Sequence, residues 1–188
     1  MQQMTIPTSN QFQFAVASKL HMDFIANFGC CSFIDAYKET LSLSDLKTYT
    51  QQTFSKLKLS TEFNDPSITF FVCSDSASNL CGYAKLIVSP PPATIHSDTA
   101  IELQRLYIAN THREQGAGKL LAQHIESYSL QKGFKCIWLR VWDGNNLAIQ
   151  KYLKWGYTIT GQENYQVGQE KRCVILMQKL LINNLRYP

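Results

Sequence analysis

Apolar and polar residues alternate over residues 11–16, with Phe12, Phe14 and Val16 on one side, the pattern of a half-buried strand. The period then changes. Residues 19–59 contain no Pro and a single Gly, and their apolar positions recur three and four apart through Phe33, Tyr37 and Leu41, then Leu43, Leu46, Tyr49 and Phe54, so this segment is read as helical. Ser42 or Ser44 is placed to cap a helix reaching Phe54, although Ser44 followed by Lys47 is not a full capping box. Residues 67–73 and 80–88 are β-branched and aromatic, and the short polar stretch between them suits a hairpin. Pro90, Pro91 and Pro92 mark a loop. Residues 100–108 form a fourth strand whose apolar register slips, from Ile101 and Leu103 to Leu106 and Ile108; a β-bulge near Gln104 and Arg105 reconciles the two halves.

Residues 116–131 read as an amphipathic helix with Ala117, Leu120, Leu121, His124 or Ile125, and Tyr128 inward. A buried strand at 136–141 and a short helix at 146–155 follow. The chain closes with an antiparallel pair, 158–166 and 172–180, around a turn at Gly168. The order β, helices, βββ, α, β, α, ββ defines an α+β domain with a mixed sheet.

The chain has 188 residues, 45% hydrophobic and 17% charged. That suits one core, because separate cores arise only beyond about 200 residues, and it excludes a disordered polyelectrolyte. The expectation is a single domain, 1–188, with a helical part at 1–65 and the remaining strands and helices at 67–180. Charge is uneven: 5 Lys+Arg against 6 Asp+Glu up to Asp65 (net −1), and 13 against 8 from Pro66 onward (net +5). With no basic run of five, a local anion site explains the excess better than a nucleic-acid face. The six cysteines show neither C-x-x-C nor zinc-finger spacing, so no metal site is expected, and buried reduced thiols are the better reading. The first residues do not resemble a secretory signal, and no apolar run approaches the ~18 residues of a membrane helix. A cytoplasmic location is expected.

The segment richest in chemistry runs from Ile108 through Arg113, Glu114, Gln115, Gly116, Ala117, Gly118 and Lys119 into a helix. Two glycines let the backbone turn tightly and bring N–H groups against a phosphate, the helix adds its positive end, and Arg113 and Lys119 add charge. Neither standard nucleotide loop fits, since positions 113 and 120 are Arg113 and Leu120, and a third dinucleotide glycine would fall on Leu121. The bland alternative is an ordinary strand-to-helix turn.

Arg113-x-x-Gly116-x-Gly118, placed just after Ile108, resembles the R/Q-x-x-G-x-G/A motif of the GNAT superfamily of N-acetyltransferases. Asn146-x-Ala148-Ile149-x-x-Tyr152-x-x-x-Gly156-Tyr157 looks like the second coenzyme motif of that family, shifted by one at its start. The resemblance spans residues 67–180. It implies the GNAT fold: a mixed, mostly antiparallel sheet of about seven strands, flanked by helices, whose fourth strand splays from the fifth. Acetyl-coenzyme A is implied as co-substrate, its pyrophosphate held at Arg113 to Lys119 with Asn146 on the opposing helix. Leu106, Tyr107 and Ile108 would face the pantetheine arm, and the N–H of Tyr107 or Ile108 would polarise the thioester carbonyl. Tyr152 is the implied general acid for the leaving thiolate; the alternative is a core aromatic. Glu102, beside the bulge, is the candidate base, against an exposed strand face or a salt bridge with Arg105.

A weaker resemblance to members acetylating polyamines or other small amines rests on Ser32-Phe33-x-x-x-Tyr37 and Gly82-Tyr83-Ala84-Lys85-Leu86, which makes Phe33 and Tyr37 candidate acceptor contacts. The implied activity is direct transfer of an acetyl group to a small amine or a peptide amino group, with a homodimer compatible and neither nucleic acid nor membrane involved. A coenzyme-binding sensor without turnover is the alternative. Asp35 and Glu39, an i,i+4 pair on one helix face, form either an acidic entrance for a cationic acceptor or a solvated face.

Overall fold

In the computed structural model, which describes residues 11–167 and 170–181, the strand and helix patterns resolve into one mixed sheet with a helical layer on each side. The elements are β1 (Phe12–Val16), α1 (Met22–Tyr37), α2 (Leu43–Phe54), α3 (Lys56–Phe63), β2 (Ile68–Asp75), β3 (Leu80–Ile87), β4 (Ala100–Ile108), α4 (Ala117–Gln131), β5 (Cys136–Trp142), α5 (Asn146–Lys154), β6 (Thr158–Val167) and β7 (Glu170–Leu180). Short 3-10 turns occupy Lys19–His21 and Asn110–Gln115, the second within what the sequence pattern left as loop. The turn expected at Gly168 lies outside the described residues.

Serines cut the helical segment into pieces. The Ser42 hydroxyl accepts the Asp45 N–H at 3.1 Å, so it caps α2, while Ser44 only meets the Ser42 hydroxyl. Ser55 ends α2 and caps α3 by accepting the Lys58 N–H at 3.3 Å. Each such cap is worth about 1 kcal/mol, because it satisfies an N–H that the first helical turn leaves without a partner.

The strand order is β1-β2-β3-β4-β5-β7-β6, antiparallel except for the β4–β5 pair. Strand β2 is buried at four consecutive positions because both of its faces are covered. Phe71 points to the side of α4 and α5, where Leu121, Ile125 and Ile149 complete the core. Phe70 and Val72 point to the side of α1–α3, among Ile25, Phe33, Leu46, Phe54 and Leu59.

Three expectations need correction. Leu120 is 42% exposed, for it sits about 100° round the helix from the buried Leu121 and flanks the inward stripe of Ala117, Leu121 and Ile125. Leu43 is likewise exposed, in the first turn of α2. The cysteines are free, but only Cys73, Cys81 and Cys136 are buried; Cys30 and Cys173 are half-buried, and Cys31 faces out from α1.

The feature that opens a site is the short β4–β5 ladder. Pairing runs through Ala100↔Cys136, Ile101↔Ile137 and Glu102↔Trp138 and then stops, whereas β4 stays paired with β3 as far as Ile108 and β5 with β7 as far as Trp142. Two strands anchored to different neighbours part, and a cleft opens between Leu103–Ile108 and the end of β5. The register of β3 passes from Leu86↔Leu103 to Lys85↔Arg105, leaving Gln104 as the extra residue of a bulge. This is why the apolar register slips. Ile101 and Leu103 face α4 before the bulge, Leu106 and Ile108 after it, and Arg105 and Tyr107 turn to the α1–α3 side.

Candidate active site

The chain leaves β4 at Ile108, makes the 3-10 turn, and reverses at Gly116, whose φ of 85° lies in the left-handed region that favours glycine. Gly116 is the N-cap of α4 and has no side chain to cap it, so the first N–H groups of α4 have no protein partner from a cap. With the positive end of the helix dipole, these N–H groups have the geometry that can attract an anion. A Cβ on Gly118 would stand 3.4 Å from the Trp155 ring and 3.6 Å from Ile108, so any larger side chain would occupy the mouth of this turn. Glu114, Gln115 and Lys119 are exposed. Arg113 is tied back, its Nε donating to the Ile108 carbonyl at 3.2 Å, and the Gln115 amide closes the turn onto the Thr111 carbonyl at 2.8 Å.

Across the cleft stands α5. Its cap is Asn145, whose Oδ1 accepts the Ala148 N–H at 3.1 Å, while Asn146 is exposed in the first turn. Counted from Asn145, the spacing to Ala148 and Tyr152 loses the one-residue shift seen when Asn146 is taken as the start. Tyr152 projects from the next turns, half-buried, with ring centroids 5.5 Å from Trp155 and 5.4 Å from Tyr157. Burial, with a smaller contribution from Tyr37, pushes its phenol well above the usual range, so it keeps its proton and can serve as a donor.

Tyr37 closes the cleft from the end of α1, 5.9 Å from Trp142 on β5 and 4.6 Å from Phe33. Burial and the neighbouring Tyr49 raise its phenol to about 12, against the opposing effect of Arg172. Phe33 itself is 4% exposed and stacks on Tyr49 at 4.1 Å, so it supports Tyr37 and Tyr49 from behind.

Glu102 is 5% exposed, so the exposed-face alternative falls away. Its carboxylate accepts from the Ser89 hydroxyl at 3.0 Å and from Arg140 Nη1 at 2.8 Å. The salt bridge considered with Arg105 is therefore made with Arg140, since the chain reaches Arg105 only beyond the bulge whereas β5 runs beside Glu102. Arg140 also binds Glu163 of β6 and lies over the Trp138 ring. Leu106, Tyr107 and Ile108 line the edge of β4 that has no β5 partner.

The expected acidic face does not form as such. Helix α1 ends at Tyr37, so Glu39 lies in the turn beyond it, and Asp35 pairs with Lys38 at 3.5 Å on an exposed surface. Side chains to which the sequence pattern assigned no place in the site complete the α1–α3 side: Tyr49, Arg105, Trp142, Tyr165 and Arg172, the last donating to the Thr40 carbonyl and lying over the Trp142 ring. They come from five separate elements, and no local spacing links them.

A family model described as the acetyltransferase (GNAT) family matches residues 32–157. An uncharacterized N-acetyltransferase in the pepI 3' region of Lactobacillus delbrueckii subsp. lactis is 24% identical over 151 residues, covering 80% of this chain and 87% of that protein. Among solved structures, the PaiA N-acetyltransferase of Thermoplasma acidophilum in complex with coenzyme A superposes with a TM-score of 0.73 at 21% identity, covering 90% of this chain and 98% of that one. The spermidine N-acetyltransferase of Vibrio cholerae in complex with CoA and spermine gives 0.68 at 22% identity, covering 91% and 96%.

Proposed function

The chain belongs to the acetyltransferase (GNAT) family, whose co-substrate is acetyl-coenzyme A, and from that premise we propose that it transfers the acetyl group directly to a primary amine in a ternary complex. The observation that carries this reading is the cleft opened where β4–β5 pairing ends at Glu102, with the uncapped start of α4 at one end and the protonated Tyr152 at its side.

In this reading the N–H groups at Gly116 to Lys119 hold the pyrophosphate, and the free edge of β4 at Leu106, Tyr107 and Ile108 pairs with the pantetheine arm. The amine nitrogen attacks the thioester carbonyl, whose developing negative charge is met by the N–H of Tyr107 or Ile108. A C–N bond forms, the C–S bond breaks, and Tyr152 donates its proton to the departing sulfur. Glu102 takes the ammonium proton through a water, because direct contact with the amine would break its pair with Arg140. Tyr37 lines the acceptor side with Phe33 behind it. The acceptor is a small, polyamine-like amine or a peptide amino group; the spermine complex of the Vibrio cholerae enzyme supports the amine class.

Acetyl-coenzyme A consumption is to be followed against a panel of amines and peptides, with coenzyme binding measured in parallel. Amine-dependent release of free thiol is the expected result. Binding without release across the panel would replace this reading by that of a non-catalytic sensor.

A further inference from the structure

On the α1–α3 side of the sheet, the bulge at Gln104 sets two cations directly opposite one another, Lys85 on β3 and Arg105 on β4. Like charges in facing positions repel. One buried carboxylate, Glu62, stands nearby, and it is already held by Lys85 at 2.8 Å and by the exposed Lys58 at 3.5 Å. Arg105 lies 5.0 Å over the Phe54 ring, but no described carboxylate is within ion-pair distance of it. Its Nη1 is buried with no hydrogen-bond partner, as are Gln104 Oε1 and Glu62 Oε2, and the Tyr83 hydroxyl lies beside the guanidinium. An unmatched guanidinium in so dry a place is costly unless an anion completes it.

The surroundings favour an anion over a cation. Tyr83 and Tyr107 lie with ring centroids 5.6 Å apart, and the phenols of Tyr49 and Tyr165 act on the same cluster, which offers hydroxyl donors. Of the carboxylates on this side, Glu102 and Glu163 are taken by Arg140, and Glu62 is ion-paired with Lys85 and Lys58. Tyr37 acts electrostatically on both Tyr107 and Tyr152. A ligand reaching from Arg105 toward Tyr152 therefore meets guanidinium and phenol groups, and the carboxylates there are already engaged.

We propose that Arg105 binds a carboxylate on the acceptor, so that the substrate is an amine that also carries a carboxylate, of amino-acid or short-peptide type, and not a bare polyamine. The inference rests on the acetyl-transfer reading above and narrows its acceptor. The planar fork of an arginine matches the two oxygens of a carboxylate, which the point charge of a lysine does not.

The test compares matched pairs that differ by one carboxylate: lysine with cadaverine, and tyrosine with tyramine. In the transfer assay the carboxylated member of at least one pair should have a KM lower by about tenfold or more, the size expected for a charge-assisted contact. Arg105→Gln should bring the two members within about twofold while the KM for acetyl-coenzyme A stays unchanged, and Arg105→Lys should keep part of the preference. Equal KM values in every pair, or a preference that survives Arg105→Gln, would overturn the proposal. Calorimetric titration of the same amines into the coenzyme-loaded protein reads the preference without turnover. If nothing is acetylated, the transfer reading falls and this binding arm still decides the role of Arg105. Arg105→Met, similar in volume, should melt at the same temperature as the parent or higher, since it removes an unmatched charge. A lower melting temperature with the carboxylate preference intact would assign Arg105 to packing and overturn the proposal.

Discussion

At the end of β4 the two sides of the cleft are built from different materials. Toward α4 and α5 the useful groups are main-chain ones: the unpaired edge of β4, the reversal at Gly116 and the uncapped N–H groups that begin α4. Toward α1–α3 they are side chains from separate elements, with Tyr37, Tyr49, Arg105, Arg140, Tyr165 and Arg172 converging from both ends of the sequence. A site made of backbone needs particular residues at fixed spacing, chiefly residues without a Cβ. A site made of converging side chains leaves no such trace. The first side is suited to a constant partner and the second to a selective one.

The sharpest way to test that division is at Tyr152, which serves both sides. Tyr152→Phe should lower kcat by about 10²-fold to 10⁴-fold while leaving coenzyme affinity unchanged, because the hydroxyl acts on charge that appears only as the sulfur leaves. Wild-type turnover in an assay limited by chemistry would reduce Tyr152 to a packing residue beside Trp155 and Tyr157.

The backbone side should fail differently. Replacing Gly116 and Gly118 together by Val strains a left-handed residue and fills the mouth of the turn, so affinity for acetyl-coenzyme A should fall by about tenfold or more. Far-UV circular dichroism should stay native. A folded double variant with unchanged coenzyme affinity would move the phosphate site elsewhere.

The side-chain side should show itself in alkali. A phenol whose pKa is raised by folding contributes stability that is complete below its unfolded value and is lost as pH rises through its folded value. For Tyr37 that window runs from 10.0 to about 12. Tyr83, Tyr107 and Tyr165 are shifted in the same direction by burial. Melting temperatures should therefore drop from pH 10 upward, and Tyr37→Phe should make that decline shallower. A melting temperature independent of pH in this range would mean that these phenols are not buried together.

The smallest effect is expected at Asp35 and Glu39. Asp35→Asn with Glu39→Gln should change neither the amine KM nor that of acetyl-coenzyme A by more than about twofold, as expected of exposed, screened charges. A selective rise for the amine would restore them as an acidic entrance and weaken the contrast drawn with Arg105.

Much of the fold was legible in local pattern. The ranges of β4 and α4 follow from their periodicity, and the slip between Leu103 and Leu106 located the bulge to within a residue. The glycine turn after Ile108 was legible because a tight reversal into a helix demands residues without a Cβ. Glu102 was legible as a candidate base beside the bulge, with an exposed face or a salt bridge to Arg105 as the alternatives, but its burial and its pairing with Arg140 were not. Nothing in sequence says that β5 places Arg140 beside it from 38 residues away.

Local sequence thus encodes the element order, the sheet bulge and the glycine reversal that begins α4, since each depends on steric and hydrogen-bonding rules acting over a few neighbouring residues. Tertiary structure decided how far β4 and β5 stay paired, which carboxylates are neutralised and which guanidinium is left unmatched. Those outcomes depend on which distant strands and helices come into contact, and electrostatic matching is settled only when the elements pack and water is excluded.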